Sequence, residues 1–385
     1  MPRRAVGMPS RARAGTWPLA LLPRQRRVIS TRPPGRACRR DAGGRRPGHA
    51  DRPTVGETSR RLRVAFGPAR VTAYPRIPPF EDAPMRTLLS LALSVFACVG
   101  ASSLAHAEPE GDRISYAEKT VLVTGSTDGL GRALALALAA DGAHVIVHGR
   151  NAERGQQVVE EITASGVGSA TFIAADFASI QGVRDFADTI ARDHPRLDLL
   201  VNNAGIAFNR EQPRHESEDG HELQFAVNYL AGWVLVNKLR PSLAAAAPSR
   251  IINVASGAAH PIDFDDVMLE QPGAQARGYG QSKLAQITMT AAIAENFAND
   301  GITMISLHPA SMMDTTMVRG LGGPIRSTVA EGRDTVMGLI TAPSLQAGAY
   351  YRDGEVATPH AQAGDTQAQQ KLVELSEELT GVSLD

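Results

Sequence analysis

The chain has 385 residues, enough for one large domain or two small ones, and its 43% hydrophobic and 21% charged residues are those of a soluble globular protein. Its formal net charge of zero hides two unlike segments: residues 1–84 carry nineteen Arg, no Lys and five acidic residues, leaving 21 basic and 35 acidic residues for the rest. A zero total therefore points to no partner. The two cysteines, Cys38 and Cys98, both precede residue 108, which excludes disulfides, thiol catalysis and cysteine metal sites from the remainder.

Residues 1–84 show no apolar period and many Pro and Gly, as in "STRPPGRACRRDAGGRRPGHADRP". Such a segment cannot bury enough surface to offset chain entropy, so it is expected to be disordered. An arginine-rich arm could bind nucleic acid or anionic lipid. A second reading is that it is not native, because Met85 opens a better-organised stretch. From there "MRTLLSLALSVFACVGASSLAHAEPEGDR" has a basic start, an apolar run and "AHA" before polar residues, the layout of a secretory signal cleaved after Ala107. The rival is a retained membrane anchor, since Leu88–Ala105 is just long enough to cross a bilayer. Cys98 in "VFAC" is a poor candidate for lipid attachment. Residues 85–107 thus predict export or membrane association, with a cytoplasmic location as the alternative.

From Lys119 strands and helices alternate. "KTVLVTG" (119–125) is a β-branched apolar run ending in Gly, a buried parallel strand, and "LGRALALALAADG" follows with helical spacing. "HVIVHG" (144–149) and "SATFIAAD" (169–176) are the second and third strands, separated by the helix "AERGQQVVEEITASG". A third helix, "SIQGVRDFADTIARDH", is capped by Ser179. "LDLLVNNAG" (197–205) is a fourth strand, a long helix spans roughly 220–245, and "SRIINVAS" (249–256) is the fifth strand. The helix carrying "YGQSK" covers about 279–299, "ITMISLHP" (302–309) is the sixth strand and "GAYYRDGE" (348–355) a candidate seventh. This order predicts one α/β domain over 108–385, a doubly wound Rossmann-type parallel sheet of six to seven strands with helices on both faces.

The first strand runs into "TGSTDGLG", with Gly125, Gly129 and Gly131 at the strand-to-helix turn. A glycine cluster alone is only a tight turn. Here it opens a helix after the first strand, where Gly125 allows the turn, Gly129 lets a pyrophosphate approach the backbone and Gly131 lets helix and strand pack. The helix N-terminus adds free N–H groups and partial positive charge toward an anion. The Gly-x-x-x-Gly-x-Gly spacing, "NNAG" after strand four, Ser256 ending strand five, Asn228 in "FAVNYLAG" and Tyr279-x-x-x-Lys283 together resemble the short-chain dehydrogenase/reductase family from Lys119 to the C-terminus. The tail "AGAYYRDGEVATPHAQAGDTQAQQKLVELSEELTG" is similar to that of the retinol-dehydrogenase-like branch.

That resemblance implies a nicotinamide dinucleotide held by Gly125, Ser126, Thr127, Gly129, Leu130, Gly131, Asn203, Ala204, Gly205, Pro309 and Thr315, with Asp176 against the adenine ring. Ala310 in "HPAS" stands where the family usually has Gly, which weakens the Thr315 assignment. Strand two ends in "VHGRN" with no acid to bind a ribose hydroxyl; Arg150 is placed to meet a 2′-phosphate with its planar fork, so NADP(H) is favoured and NAD(H) is the alternative.

Tyr279 and Lys283 lie four apart on one helix face. An isolated Tyr titrates near about 10, and a nearby ammonium stabilises phenolate, so Lys283 is expected to acidify Tyr279 as a general acid–base. The resemblance gives the same roles: Tyr279 exchanges a proton with the substrate oxygen, Ser256 hydrogen-bonds that oxygen, Lys283 also binds the nicotinamide ribose, and Asn228 holds a water linking Lys283 to solvent. His260 with the acids of "PIDFDD" (261–266) reads as a loop with a helix cap rather than a metal cluster. "MMDTTMVRGLGGP" (312–324) suits either a mobile lid over an apolar substrate or an ordinary packed loop. The leading reading is a dehydrogenase or reductase of an apolar alcohol/carbonyl pair; the alternative is a catalytically silent NADP(H) sensor or scaffold. No metal and no nucleic acid are expected for the folded domain, and the resemblance implies a homodimer built on the helices at 220–245 and 279–299.

Overall fold

A computed structural model describes residues 113–384. The arginine-rich segment 1–84 and the apolar segment 85–107, with its expected cleavage point, lie outside the described residues. The β-branched runs TVLV of β1 (Thr120–Val123), HVIVHG of β2 (His144–Gly149) and SRIINV of β5 (Ser249–Val254) become strands because their side chains are buried on both faces. With β3 (Ser169–Ala174), β4 (Leu199–Asn202), β6 (Ile302–His308), β7 (Tyr350–Arg352) and β8 (Glu355–Ala357) they form one sheet in the order β3-β2-β1-β4-β5-β6-β7-β8. All pairs are parallel except β7–β8.

The order reverses between β1 and β4, whose register pairs Val123 with Val201. A crevice therefore opens at the carboxyl ends of these two strands, the place where doubly wound sheets bind ligands. The expected seventh strand is present but stops at Arg352. Asp353 and Gly354, at φ 53° and 84°, reverse the chain into an eighth, antiparallel strand.

Three helices follow the first strands: α1 (Gly129–Ala140), α2 (Ala152–Ser165) and α3 (Ile180–Asp193). Ser179 caps α3 as expected, its hydroxyl accepting from Gly182 N. The long helix expected at 220–245 is broken into a turn, α4 (Leu223–Phe225), a π-helical segment Ala226–Leu230, α5 (Ala231–Lys238) and α6 (Arg240–Ala245). Then come α7 (Gly278–Ala298), the short α8 (Thr316–Gly320), α9 (Val329–Ile340) and α10 (Thr366–Thr380).

The sheet separates two cores. Val123, Leu134 and Val336 lie on the α1–α9 side, and Ile251, Trp233 and Phe297 on the α5–α7 side. Among the described residues no helix is long and apolar enough to cross a membrane.

Candidate active site

Both turns flanking the crevice are built from residues that tolerate no larger side chain. Gly125 has φ +63°, and a Cβ on it would lie 2.9 Å from Ala204 Cα. A Cβ on Gly131 would lie 2.3 Å from Gly125 O and 2.4 Å from Asn203 Nδ2. Asn203 ties the turns together, donating through Nδ2 to Thr124 O (2.8 Å), while its backbone N–H donates to Thr124 Oγ1 (2.9 Å). Asp128 caps α1 by accepting from Gly129 N at 2.7 Å. Leu130 and Gly131, which follow in that turn, line the crevice, and the unpaired amides that open a helix suit an anion there. This cradle fits the pyrophosphate of a dinucleotide.

A cavity of about 680 Å³ runs from that cradle across the ends of β4, β5 and β6. Gly125, Thr127, Gly129, Leu130, Gly131, Arg150, Asp176, Asn203, Ala204, Gly205, Ser256, Tyr279, Lys283, Pro309 and Thr315 all lie on its wall, so the sequence-predicted residues converge. Ser126 and Asn228 are the exceptions. The Ser126 side chain turns inward, donating to Val123 O (2.7 Å) and accepting from His148 N (2.9 Å), and its own N–H goes to His148 O. It braces the turn instead of reaching a ligand.

Asn228, in the π-helical segment, is also a brace. Its Oδ1 accepts from Ile206 N (2.7 Å), and its Nδ2 donates to Ile206 O (3.0 Å) and Ser282 Oγ (2.9 Å). Ser282 Oγ in turn donates to Tyr279 O (2.8 Å), so Asn228 fixes both the turn after β4 and the start of α7. A π-bulge at this point fits its recurrence at functional sites.

Tyr279 and Lys283 face the same cavity, with Lys283 Nζ 5.7 Å from the Tyr279 ring centroid. Ser256 lies on the same wall as Tyr279, its Oγ accepting from Ala258 N at 3.1 Å. Lys283 is 4% exposed and donates to Val254 O (2.8 Å) and Gln286 Oε1 (2.9 Å). Burial raises the Tyr279 pKa above its ordinary value, and Ser256 pulls the other way. Burial also lowers the Lys283 pKa to about 7. Desolvation is thus the largest influence on the Tyr279 phenol, and Ser256 is the group that opposes it.

At the other end, Arg150 is exposed, and its Nη1 lies 3.7 Å from Asp176 Oδ2. Gly149 makes room there, since a Cβ on it would come within 2.8 Å of Thr127 Oγ1. Sequence reading missed His148, although a histidine ending a buried strand was a readable signal. Its Nδ1 accepts from Gly125 N (3.0 Å), its Nε2–H donates to Ala175 O (3.2 Å), and its ring stacks on Phe177 at 4.1 Å. Burial lowers its pKa to about 4, so it stays neutral and holds the first glycine in place.

The loop after β6 covers the cavity with Met312, Met313, Met317 and Leu321. It is stapled by Arg326 N→Met312 O and Asp314 N→Ser327 O, both 3.0 Å. Thr315 caps α8 and lies beside the cradle, its Cγ2 3.2 Å from where a Gly129 Cβ would be. In "PIDFDD", Asp263 and Asp266 hold Arg277 at 2.8 and 3.6 Å, which anchors the entry to α7.

A doubly wound sheet with a glycine cradle, and Ser, Tyr and Lys on one cavity wall, defines a nicotinamide-dinucleotide oxidoreductase. Residues 119–323 match the family described as short chain dehydrogenase. The chain is 33% identical over 295 residues to human retinol dehydrogenase 14, covering 69% of this chain and 87% of that one. It is 34% identical over 288 residues to a putative daunorubicin C-13 ketoreductase of Streptomyces sp. strain C5, covering 72% and 96%. Among solved structures, the RhlG/NADP active-site complex of Pseudomonas aeruginosa superposes with a TM-score of 0.51 at 26% identity, covering 62% and 96%. The chain belongs to the short-chain dehydrogenase/reductase family, on its retinol-dehydrogenase-like branch, and is an NAD(P)-dependent oxidoreductase acting on CH–OH or carbonyl groups.

Proposed function

We propose that this protein moves hydride between NADP(H) and an apolar alcohol/carbonyl pair, with Tyr279 as the acid–base. One observation carries the reading: Ser256, Tyr279 and the buried Lys283 line the same cavity as the glycine cradle. The methionine-rich loop supplies an adaptable apolar wall for the substrate. Names of similar proteins agree in kind, since a retinol dehydrogenase and a ketoreductase are among them.

When bound, the nicotinamide would supply or accept the hydride. The Tyr279 hydroxyl gives its proton to the substrate oxygen during reduction and takes one back during oxidation. Ser256 Oγ hydrogen-bonds that oxygen and fixes its position. Lys283, at about 7, exchanges protons near neutral pH. Arg150 supports NADP(H), because a guanidinium touched only at 3.7 Å by Asp176 keeps donors for a 2′-phosphate.

The test is NADPH oxidation against a panel of aldehydes and ketones. Turnover should be lost in Tyr279→Phe, while the NADPH dissociation constant stays within about twofold. Comparable turnover in that variant would falsify the assignment. NADPH binding with no turnover on any compound would favour a cofactor sensor. Arg150→Asp should lower the NADPH-over-NADH efficiency ratio at least ~10-fold, equivalent to about 1.4 kcal/mol. An unmoved ratio removes Arg150 from cofactor choice.

A further inference from the structure

The carboxyl edge of the sheet carries two side chains that proton and hydride transfer do not use. His308 ends β6 and stands opposite Arg352 of β7, while Leu307 stands opposite Val254 of β5. Both His308 and Arg352 lie on the cavity wall that includes Ser256 and Tyr279. At about 4.8 Å per strand spacing, the Arg352 backbone is roughly 10 Å from that of Ser256.

His308 is only 6% exposed. Its Nε2 lies 3.0 Å from Ser311 Oγ, and its Nδ1 is buried with no hydrogen-bond partner. Buried polar groups in native proteins are almost always paired, so this ring nitrogen leaves one hydrogen bond open to a group that enters beside it. The imidazole sits beside the reacting position: a Cβ on Gly257, the residue after Ser256, would come within 3.4 Å of His308 Cδ2.

Arg352 presents an exposed guanidinium, with Asp353 3.6 Å from its Nε. Among the described residues its terminal nitrogens have no hydrogen-bond partner. The carboxylates on the cavity wall are both at the cofactor end, where Asp128 and Asp176 lie 3.6 and 3.7 Å from Arg154 and Arg150. The β6–β7 end of the wall therefore carries Arg352 with no lining carboxylate, under an apolar methionine roof, while Asp353 and the cross-strand Glu355 flank the guanidinium without lining the cavity.

We propose that this end is an anion subsite, and that the substrate is an apolar aldehyde or ketone carrying a carboxylate several bonds from its reacting carbon, gripped by Arg352 and His308. The identity of the reacting carbon rests on the hydride-transfer reading above. In the bound arrangement the Ser311 hydroxyl donates to Nε2 and the Nδ1–H of His308 donates to the carboxylate. Burial, with Arg352 beside it, keeps the imidazole below its ordinary pKa, so it serves as a neutral donor. The guanidinium brings the charge and a fork matched to a carboxylate.

The experiment uses the full chain with NADPH and aldehydes of equal length ending in a carboxylate or a primary amide. Reductive kcat/KM should favour the acid by about 10-fold, mainly through KM, and the preference should shrink as ionic strength rises. Arg352→Gln should bring the acid-to-amide ratio close to one, and Arg352→Lys should retain part of it. Equal use of acid and amide, or a ratio indifferent to both salt and Arg352→Gln, overturns the subsite. If no aldehyde is reduced, calorimetry on NADP-loaded protein compares the matching saturated acid and amide. Salt-sensitive preference for the acid then sustains the subsite while the oxidoreductase reading falls, and equal binding overturns it.

Discussion

Burial moves Tyr279 and Lys283 toward their neutral forms from opposite sides, the phenol upward and the ammonium down to about 7. The Tyr-x-x-x-Lys spacing brings both side chains to one cavity, but a charge argument drawn from it could not foresee that Lys283 donates to Val254 O and Gln286 Oε1. Desolvation depends on what packs around α7, and spacing carries no such information. A pH dependence follows. Reduction consumes a proton, so kcat/KM should fall as pH rises through about 7, where Lys283 loses its proton. A profile flat from pH 6 to 9, about a unit or more on either side of that value, would remove Lys283 from proton supply. The same group affects stability. Between about 7 and its ordinary 10.5 the unfolded chain binds more protons than the folded one, so Lys283 makes stability rise with pH across that window. Denaturant midpoints for wild type and Lys283→Met should converge at high pH.

At the scale of elements, apolar runs and glycine stops were enough to place β1, β2 and β4 to β6, because strands buried on both faces must read as continuous hydrophobic stretches, while the partly exposed edge strand β3 was placed by its position between two helices. The break of 220–245 at Asn228 was not legible. A π-bulge satisfies a tertiary demand, the two-sided grip on Ile206, and leaves no local sequence mark. β8 is a miss of another kind, since Asp353-Gly354 is a standard reversal signal. The same holds for α9, whose start carries a readable capping box of Thr328 and Glu331.

The far end of α9 depends on a distant residue. Arg250 on β5 is 7% exposed and donates through Nη1 to Leu339 O (3.2 Å) and Ile340 O (2.7 Å), and through Nη2 to Ala342 O (2.6 Å). It closes the helix's carbonyl end and complements its dipole. Because α9 begins where the loop over the cavity ends, Arg250 also anchors that loop from behind. Arg250→Met should cost roughly 2–3 kcal/mol and lower Tm by about 5–10 °C. KM for the carbonyl substrate should rise more than kcat falls. A variant with unchanged Tm would mean that the three bonds contribute nothing net.

For the molecule as a whole, α10 and residues 381–384 decide what the surface of α5 and α7 can do. Tyr229 and Trp233 are wholly buried, yet their polar atoms bond to the C-terminal region: the Tyr229 hydroxyl lies 2.6 Å from Ser376 Oγ, and Trp233 Nε1 donates to Val382 O at 2.9 Å. His221 and Arg184 reach Leu379 O and Thr380 O from the same side. Burial pushes the Tyr229 hydroxyl far above its ordinary pKa. A homodimer through α5 and α7, which the resemblance implied, would have to displace α10 and leave these two aromatic groups to be covered by the partner. Each buries on the order of 150–250 Å², a loss too large to leave exposed. The full chain should therefore sediment as a monomer at micromolar concentration, and a chain ending at Asp365 should self-associate or aggregate. A dimer of the full chain that survives unchanged in the shortened one would show that the C-terminal helix does not guard this face, and that subunits meet elsewhere.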